Sequence, residues 1–128
     1  SARIGYVQIP KVLYAQMRSS KLYFIDIPKH ERAKLLVEEY ASFNPNHLAK
    51  AINGIEKRLG GQNVTAALHA LDTQDYYKVA IITLQYYDKA YLNGVAKRDP
   101  NRVQRIALPT VNHVENAKQL LAITKSDE

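Results

Sequence analysis

The sequence predicts an α/β fold in which a parallel-sheet portion carries a helical insertion, and three observations support that expectation. Lys21 to Ile27 (Lys-Leu-Tyr-Phe-Ile-Asp-Ile) is rich in aromatic and β-branched residues and reads as a buried strand. Pro28 ends it and opens a helix in which Ala33, Leu36, Val37 and Tyr40 fall at i, i+3, i+4 and i+7, the spacing of one buried face. A strand passing directly into such a helix is half of a parallel βα unit. Near the other end, Val103 to Leu108 is again extended, Pro109 stops it, and a last helix follows; everything from Phe43 to Gly94 has helical spacing. The expected organisation is a βα segment over residues 1–43, a helical insertion over 44–94, and a returning strand and helix over 95–128, all in one compact unit.

From the N-terminus, Tyr6 to Ile9 reads as a short extended segment that stops where Pro10 can open a helix at its first turn. Val12, Leu13 and Met17 then place one apolar side against the body of the protein. Within the insertion, Leu48, Ala51, Ile52, Ile55 and Leu59 make one stripe, and Val64, Leu68 and Leu71 make a second, with Asn63 as the expected N-cap. A third helix, about Gln74 to Tyr87, is apolar nearly all round and belongs at the centre of a small bundle. Lys97 to Asn101, with Asp99-Pro100, is a polar turn, and Val114, Ala117, Leu120 and Leu121 point one way from the last helix.

Composition narrows the function. A chain of 128 residues, 46% of them hydrophobic, can bury one core. There is no cysteine, which excludes a thiolate nucleophile, a persulfide carrier, disulfides and cysteine-based zinc sites. His30, His47, His69 and His113 are too scattered for a metal-ligand pair at helical spacing, so no metal site is expected. Apolar runs such as Val79 to Leu84 fall far short of the ~20 residues needed to cross a bilayer. With no basic-then-apolar leader at the N-terminus, the cytoplasm is the expected location and no membrane partner is expected. A net charge of +6 and a pI near 9.5 favour a polyanion such as RNA, or a phosphorylated ligand.

Four motifs stand out in order: Arg3-Ile4-Gly5-Tyr6-Val7-Gln8-Ile9-Pro10, Pro28-Lys29-His30-Glu31-Arg32, Lys57-Arg58-Leu59-Gly60-Gly61 and Tyr86-Tyr87-Asp88-Lys89-Ala90-Tyr91. Together they resemble the C-terminal region of the bacterial tRNA 2-selenouridine synthases, well over residues 3 to 92 and loosely over the tail. The resemblance implies an intact enzyme with a rhodanese-like cysteine domain and a phosphate-binding loop. That enzyme exchanges sulfur for selenium at the wobble 2-thiouridine of tRNA, using selenophosphate, with a geranylated thiouridine as intermediate. Selenophosphate, a nucleotide or geranyl diphosphate, and the anticodon region of tRNA are therefore the implied ligands of the intact enzyme; no cofactor is expected on this chain itself.

The phosphate loop is missing from this sequence. Gly54 and Gly60 are one residue too far apart for Gly-x-x-x-x-Gly, and no Lys-Ser or Lys-Thr pair directly follows them. The expectation is a piece of such an enzyme without its catalytic elements, inactive alone. The order strand, proline, arginine-bearing helix, helical lid and last strand is also that of the C-terminal part of a P-loop-type parallel-sheet domain, an analogy at the level of fold.

Each candidate residue has two readings. Lys57 and Arg58 close a helix before Gly60 and Gly61, where cations favour the negative end of the helix dipole by about 0.3 to 1 kcal/mol and a glycine caps the end. The resemblance favours instead a phosphate contact by the Arg58 fork, with Lys57 adding charge. Arg32 is either a surface cation paired to Glu31 or Glu39, or a phosphate ligand as Pro-x-x-x-Arg suggests by its likeness to nucleotide kinases. The chain has 9 tyrosines and no tryptophan, and Tyr86, Tyr87 and Tyr91 are either packing residues or faces on which a tRNA base stacks. Lys89 is a further phosphate candidate, and Asp88 is expected to order Lys89, Arg58 or a tyrosine hydroxyl. Two other function classes fit the same features: the lid-bearing part of a small nucleotide or metabolite kinase, and a non-catalytic interaction domain.

Overall fold

A computed structural model describes residues 3–127. The chain opens on a hairpin of β1 (Arg3–Ile4) and β2 (Val7–Gln8), antiparallel with Arg3 opposite Gln8 and Ile4 opposite Val7. Gly5, at φ +60, reverses the chain, so Tyr6 sits in the turn rather than in an extended run. Helix α1 (Lys11–Ser19) begins after Pro10, whose carbonyl accepts from Tyr14 N at 2.9 Å. Its apolar side does not meet the body as the spacing suggests: Val12, Leu13 and Met17 all stay exposed. What holds α1 is its C-terminal end, where Arg98 donates to Met17 O at 3.3 Å and Arg102 donates to Ser19 O.

Strands β3 (Leu22–Asp26) and β4 (Val103–Ala107) form a parallel pair in register from Leu22 opposite Val103 to Asp26 opposite Ala107. Among the described residues neither has a second neighbour. This corrects the expectation of a buried strand: Ile25 is 44% exposed while its partner Ile106 is 6% exposed, because a pair of strands cannot cover both faces of itself. Helix α7 (His113–Ser126), capped by the Asn112 side chain accepting from Glu115 N, borders the groove beside Ile25, Ile27 and Leu108 with Ala117 and Leu120. Val114 and Leu121 of its supposed inner side face solvent.

Between the strands lie α2 (Lys29–Ser42), α3 (Pro45–Gly54), α4 (Glu56–Leu59), α5 (Gly61–Asp72) and α6 (Tyr76–Ala96). The stripe expected to run unbroken to Leu59 is cut at Ile55, after Asn53 and Gly54, two weak helix formers in succession. Asn63 is not the N-cap of α5. Gly60 takes that place at φ +87, a backbone state that suits glycine, and Asn63 Nδ2 donates back to Leu59 O at 3.0 Å. Helix α6 runs well beyond Tyr87 to Ala96, because Gly94 costs only about 1 kcal/mol relative to alanine and does not stop an established helix. The helix ends at Ala96 with Lys97 as its C-cap, ahead of the Asp99-capped turn at Pro100–Arg102. The main core gathers Leu48, Ile52, Leu59, Val64, Ala67, Ala70, Leu71, Val79 and Ile82, and a second one joins Ala33 of α2 to Ala80 and Leu84 of α6.

Candidate phosphate and nucleic-acid interface

The break between α4 and α5 places the first group of candidates. Four helical residues end when Gly60 N closes on Glu56 O at 2.8 Å, and Gly60 then turns the chain at once into α5, whose first residue is Gly61. Lys57 and Arg58 thus project from the last turn of a very short helix, both exposed. Arg58 Nη1 donates to the Tyr86 hydroxyl of α6 at 3.3 Å, which leaves the rest of its fork free to meet an anion. Lys57, Arg58 and Tyr86 line an open pocket of about 530 Å³ together with Asn53, Gly54, Ile55 and Glu56, the last adding one carboxylate to an otherwise cationic rim. Lys89 is exposed three residues beyond Tyr86, on the same side of α6. The Tyr86 and Tyr87 rings lie 4.9 Å apart and tilted by 54°, with Tyr87 and Tyr91 both exposed.

Arg32 and Asp88 form a second, separate group. Arg32 Nη1 and Nη2 donate to Asp88 Oδ1 and Oδ2 at 2.7 and 3.0 Å, and Nε donates to Ile27 O at 2.9 Å. This corrects both expected pairings: Arg32 does not pair with Glu31 or Glu39, and Asp88 orders neither Lys89, Arg58 nor a tyrosine hydroxyl. The reason is the antiparallel packing of α2 on α6, which sets Arg32 against Asp88 and Tyr40 against Thr83. The hydrogen bonds from Arg32 hold the Asp88 carboxyl below its ordinary range, helped by the charge of Lys29, and Asp88 in turn raises Arg32. A phosphate reaching Arg32 would have to share or displace Asp88.

A cleft of about 290 Å³ lies between the sheet and the far end of α6, lined by Phe24, Asp26, Arg32, Asp88, Tyr91 and Arg105 among others. There Arg105 is paired with Asp26, and its guanidinium stands 6.0 Å from the Phe24 ring centre. A further cluster at the other end of β3 joins Lys21 Nζ and the Tyr23 hydroxyl to Asp127 Oδ2 at 2.6 and 2.7 Å. Those bonds raise Lys21 and Tyr23 and lower Asp127. Sequence reasoning missed both clusters, whose partners lie more than 75 residues apart; the single charge in each strand, Asp26 in β3 and Arg105 in β4, was the one available signal. Among the described residues no group of three His, Asp or Glu side chains is placed to hold a metal, and no helix is long and apolar enough to cross a membrane.

Compared with known proteins, residues 1–120 match a family model described as the tRNA 2-selenouridine synthase AAA domain. The tRNA 2-selenouridine synthase of Shewanella loihica (strain ATCC BAA-1088 / PV-4) is 29% identical over 124 residues, covering 74% of this chain and 33% of that protein. The chain therefore spans about a third of the length of the curated relative it matches. No solved structure matches it.

Proposed function

Because this chain belongs to the tRNA 2-selenouridine synthase AAA domain family, we propose that it is the tRNA-facing part of an enzyme that exchanges sulfur for selenium at the wobble 2-thiouridine of tRNA in the cytoplasm. Lys57 and Arg58, with Lys89 beside them, bind backbone phosphate near the anticodon, and Tyr86 holds the Arg58 fork in place. The observation that carries this reading is the contrast among the arginines of the candidate site. Arg32 and Arg105 are each taken by a carboxylate, whereas Arg58 enters no ion pair among the described residues and is instead positioned by the Tyr86 hydroxyl at the rim of an open pocket that it shares with Lys57. An exposed, positioned guanidinium without a carboxylate partner is suited to bidentate phosphate recognition.

The remaining chemistry is assigned to portions of the enzyme outside this sequence. A persulfide or selenide carrier needs the cysteine this chain lacks, and a nucleotide needs the phosphate loop it also lacks, so the residues present do not fit a nucleotide cofactor. The parallel pair β3 and β4, with helices between the strands, supports reading the fold as part of a P-loop-type sheet domain in which residues 44–94 form a lid-like insertion. Selenophosphate and a geranyl diphosphate are then substrates of the assembled active site, and this chain supplies wall and charge.

Filter binding of tRNA to the whole chain tests the proposal. Affinity should fall steeply between low and high salt, as counterion release requires. Arg58→Ala should weaken binding roughly ten- to a hundredfold, and Arg58→Lys should fall in between, since charge remains but the fork is lost. Normal tRNA binding by a folded Arg58→Ala chain removes Arg58 from the interface.

A further inference from the structure

Along α6, Ala80, Leu84, Tyr87 and Tyr91 fall at i, i+4, i+7 and i+11 and so share one stripe. Exposure along that stripe climbs from 0% and 8% at Ala80 and Leu84 to 47% and 69% at Tyr87 and Tyr91. Ala33 and Leu36 of α2 cover its first part, but α2 starts at Lys29, and around the Arg32–Asp88 pair the stripe opens at Tyr87 and Tyr91 before it is half-buried again at Gly94 and Val95. Where the cover ends, the residues change from small aliphatic to aromatic. Open aromatic faces on a rigid helix mark a binding surface.

Charge identifies the occupant. Arg58 bonds the Tyr86 hydroxyl, the Tyr86 ring lies 4.9 Å from that of Tyr87, and Lys57 lines the same open pocket as Arg58 and Tyr86. The one carboxylate on this turn of α6, Asp88, is taken by Arg32. Aromatic faces beside unpaired cations match a single nucleic-acid strand, whose bases stack while its phosphates meet charge. We propose that Tyr87 and Tyr91 are a stacking platform for two unstacked bases of a single-stranded RNA segment whose phosphates follow Arg58 and Lys57. The proposal rests on the tRNA-binding reading above and adds to it the bases and the residues that receive them. The rise between the two tyrosines is about 6 Å, wider than the roughly 3.4 Å of stacked bases, so each ring takes one base of a splayed loop.

Fluorescence anisotropy of a labelled single-stranded RNA, and of the same strand annealed into a duplex, tests this with the whole chain and the variants Tyr87→Phe, Tyr87→Ala, Tyr91→Phe and Tyr91→Ala. The phenylalanine variants should bind the strand within about twofold of the unaltered chain, because the ring face is kept, and each alanine variant should lose roughly 5- to 100-fold. The salt slope should stay unchanged in all four, since no charge is altered, whereas Arg58→Ala should make it shallower by about one phosphate. Duplex binding should not respond to the tyrosines. Folded alanine variants that bind the strand normally overturn the platform; if Arg58→Ala still weakens binding, the phosphate reading survives alone. If Tyr87→Ala does not fold, Tyr91→Ala, at the most exposed position, decides the matter. Failure of the unaltered chain to bind RNA overturns both proposals.

Discussion

Replacing Asp88 by asparagine removes one charge from the only tie between α2 and α6 that is both bidentate and ionic among the described residues. The side chains of Arg32 and Asp88 are 30% and 25% exposed, so the pair lies between the surface limit of about 0 to 1 kcal/mol and the fully buried limit of about 3 to 5. Hydrogen bonds to charged groups contribute about 1.5 to 3 kcal/mol, and that range is the expected cost of Asp88→Asn. For a chain of 128 residues this lowers the melting temperature by roughly 5 to 15 °C. A double-mutant cycle with Arg32→Ala and Asp88→Ala, read by thermal or urea denaturation, should give a coupling energy above about 1 kcal/mol. The pH dependence provides a second reading. Asp88 has a folded-state pKa depressed below its ordinary 3.8, chiefly by the hydrogen bonds from Arg32. The stabilisation is therefore full above that ordinary value and is lost as pH falls through the folded pKa. Asp88→Asn should flatten this acid limb and leave the neutral-to-alkaline side unchanged in shape. A coupling under about 0.5 kcal/mol, or an acid limb identical in the variant, refutes the assignment of this pair as the strut between the two helices.

Gly60→Ala should destabilise the chain by about 1 to 3 kcal/mol through backbone strain alone, because φ is +87 while an added Cβ would meet nothing within 4 Å. Gly61→Ala, in ordinary helical backbone with equal room, should change stability by under about 1 kcal/mol, and paired melting curves distinguish the two. The purified chain should neither hydrolyse ATP nor modify tRNA, having no cysteine and no phosphate loop; turnover that persists through further purification would contradict this. Asp127→Asn should loosen the C-terminal end of α7, seen as faster amide exchange over its last turn, with little change in global melting because the cluster is solvent-accessible.

The sequence made most of the element order legible, because each boundary carries its own local chemistry. Pro28 after a β-branched run, Asp99-Pro100 before one, and apolar spacing in α2, α3 and α5 are all read without knowing what packs on what. The errors fell where tertiary cover decides. The spacing of Val12, Leu13 and Met17 does indicate an apolar side, but spacing cannot say whether this chain provides anything to cover it. Asn63 has the chemistry of a cap, yet the positive φ of Gly60 moved the helix start ahead of it. In the candidate site, Lys57, Arg58 and the tyrosines were visible as motifs. The pairing of Arg32 with Asp88, 56 residues away, follows from the antiparallel alignment of two helices and from no local pattern.

Helix α6 belongs to both cores at once: Val79 and Ile82 are packed in one, and Ala80 and Leu84 in the other. Arg32 ties it a third time at Asp88, in its second half, so it is a beam held on both sides of Tyr87. Between Asp88 and Tyr91 the lever arm is only about 4.5 Å, so a tilt of about 5° at that tie moves Tyr91 by roughly 0.4 Å, whereas without the tie an arm of about 18 Å from Val79 would move it by roughly 1.6 Å. The Arg32–Asp88 pair thus damps at the aromatic face a change in packing made around Val79.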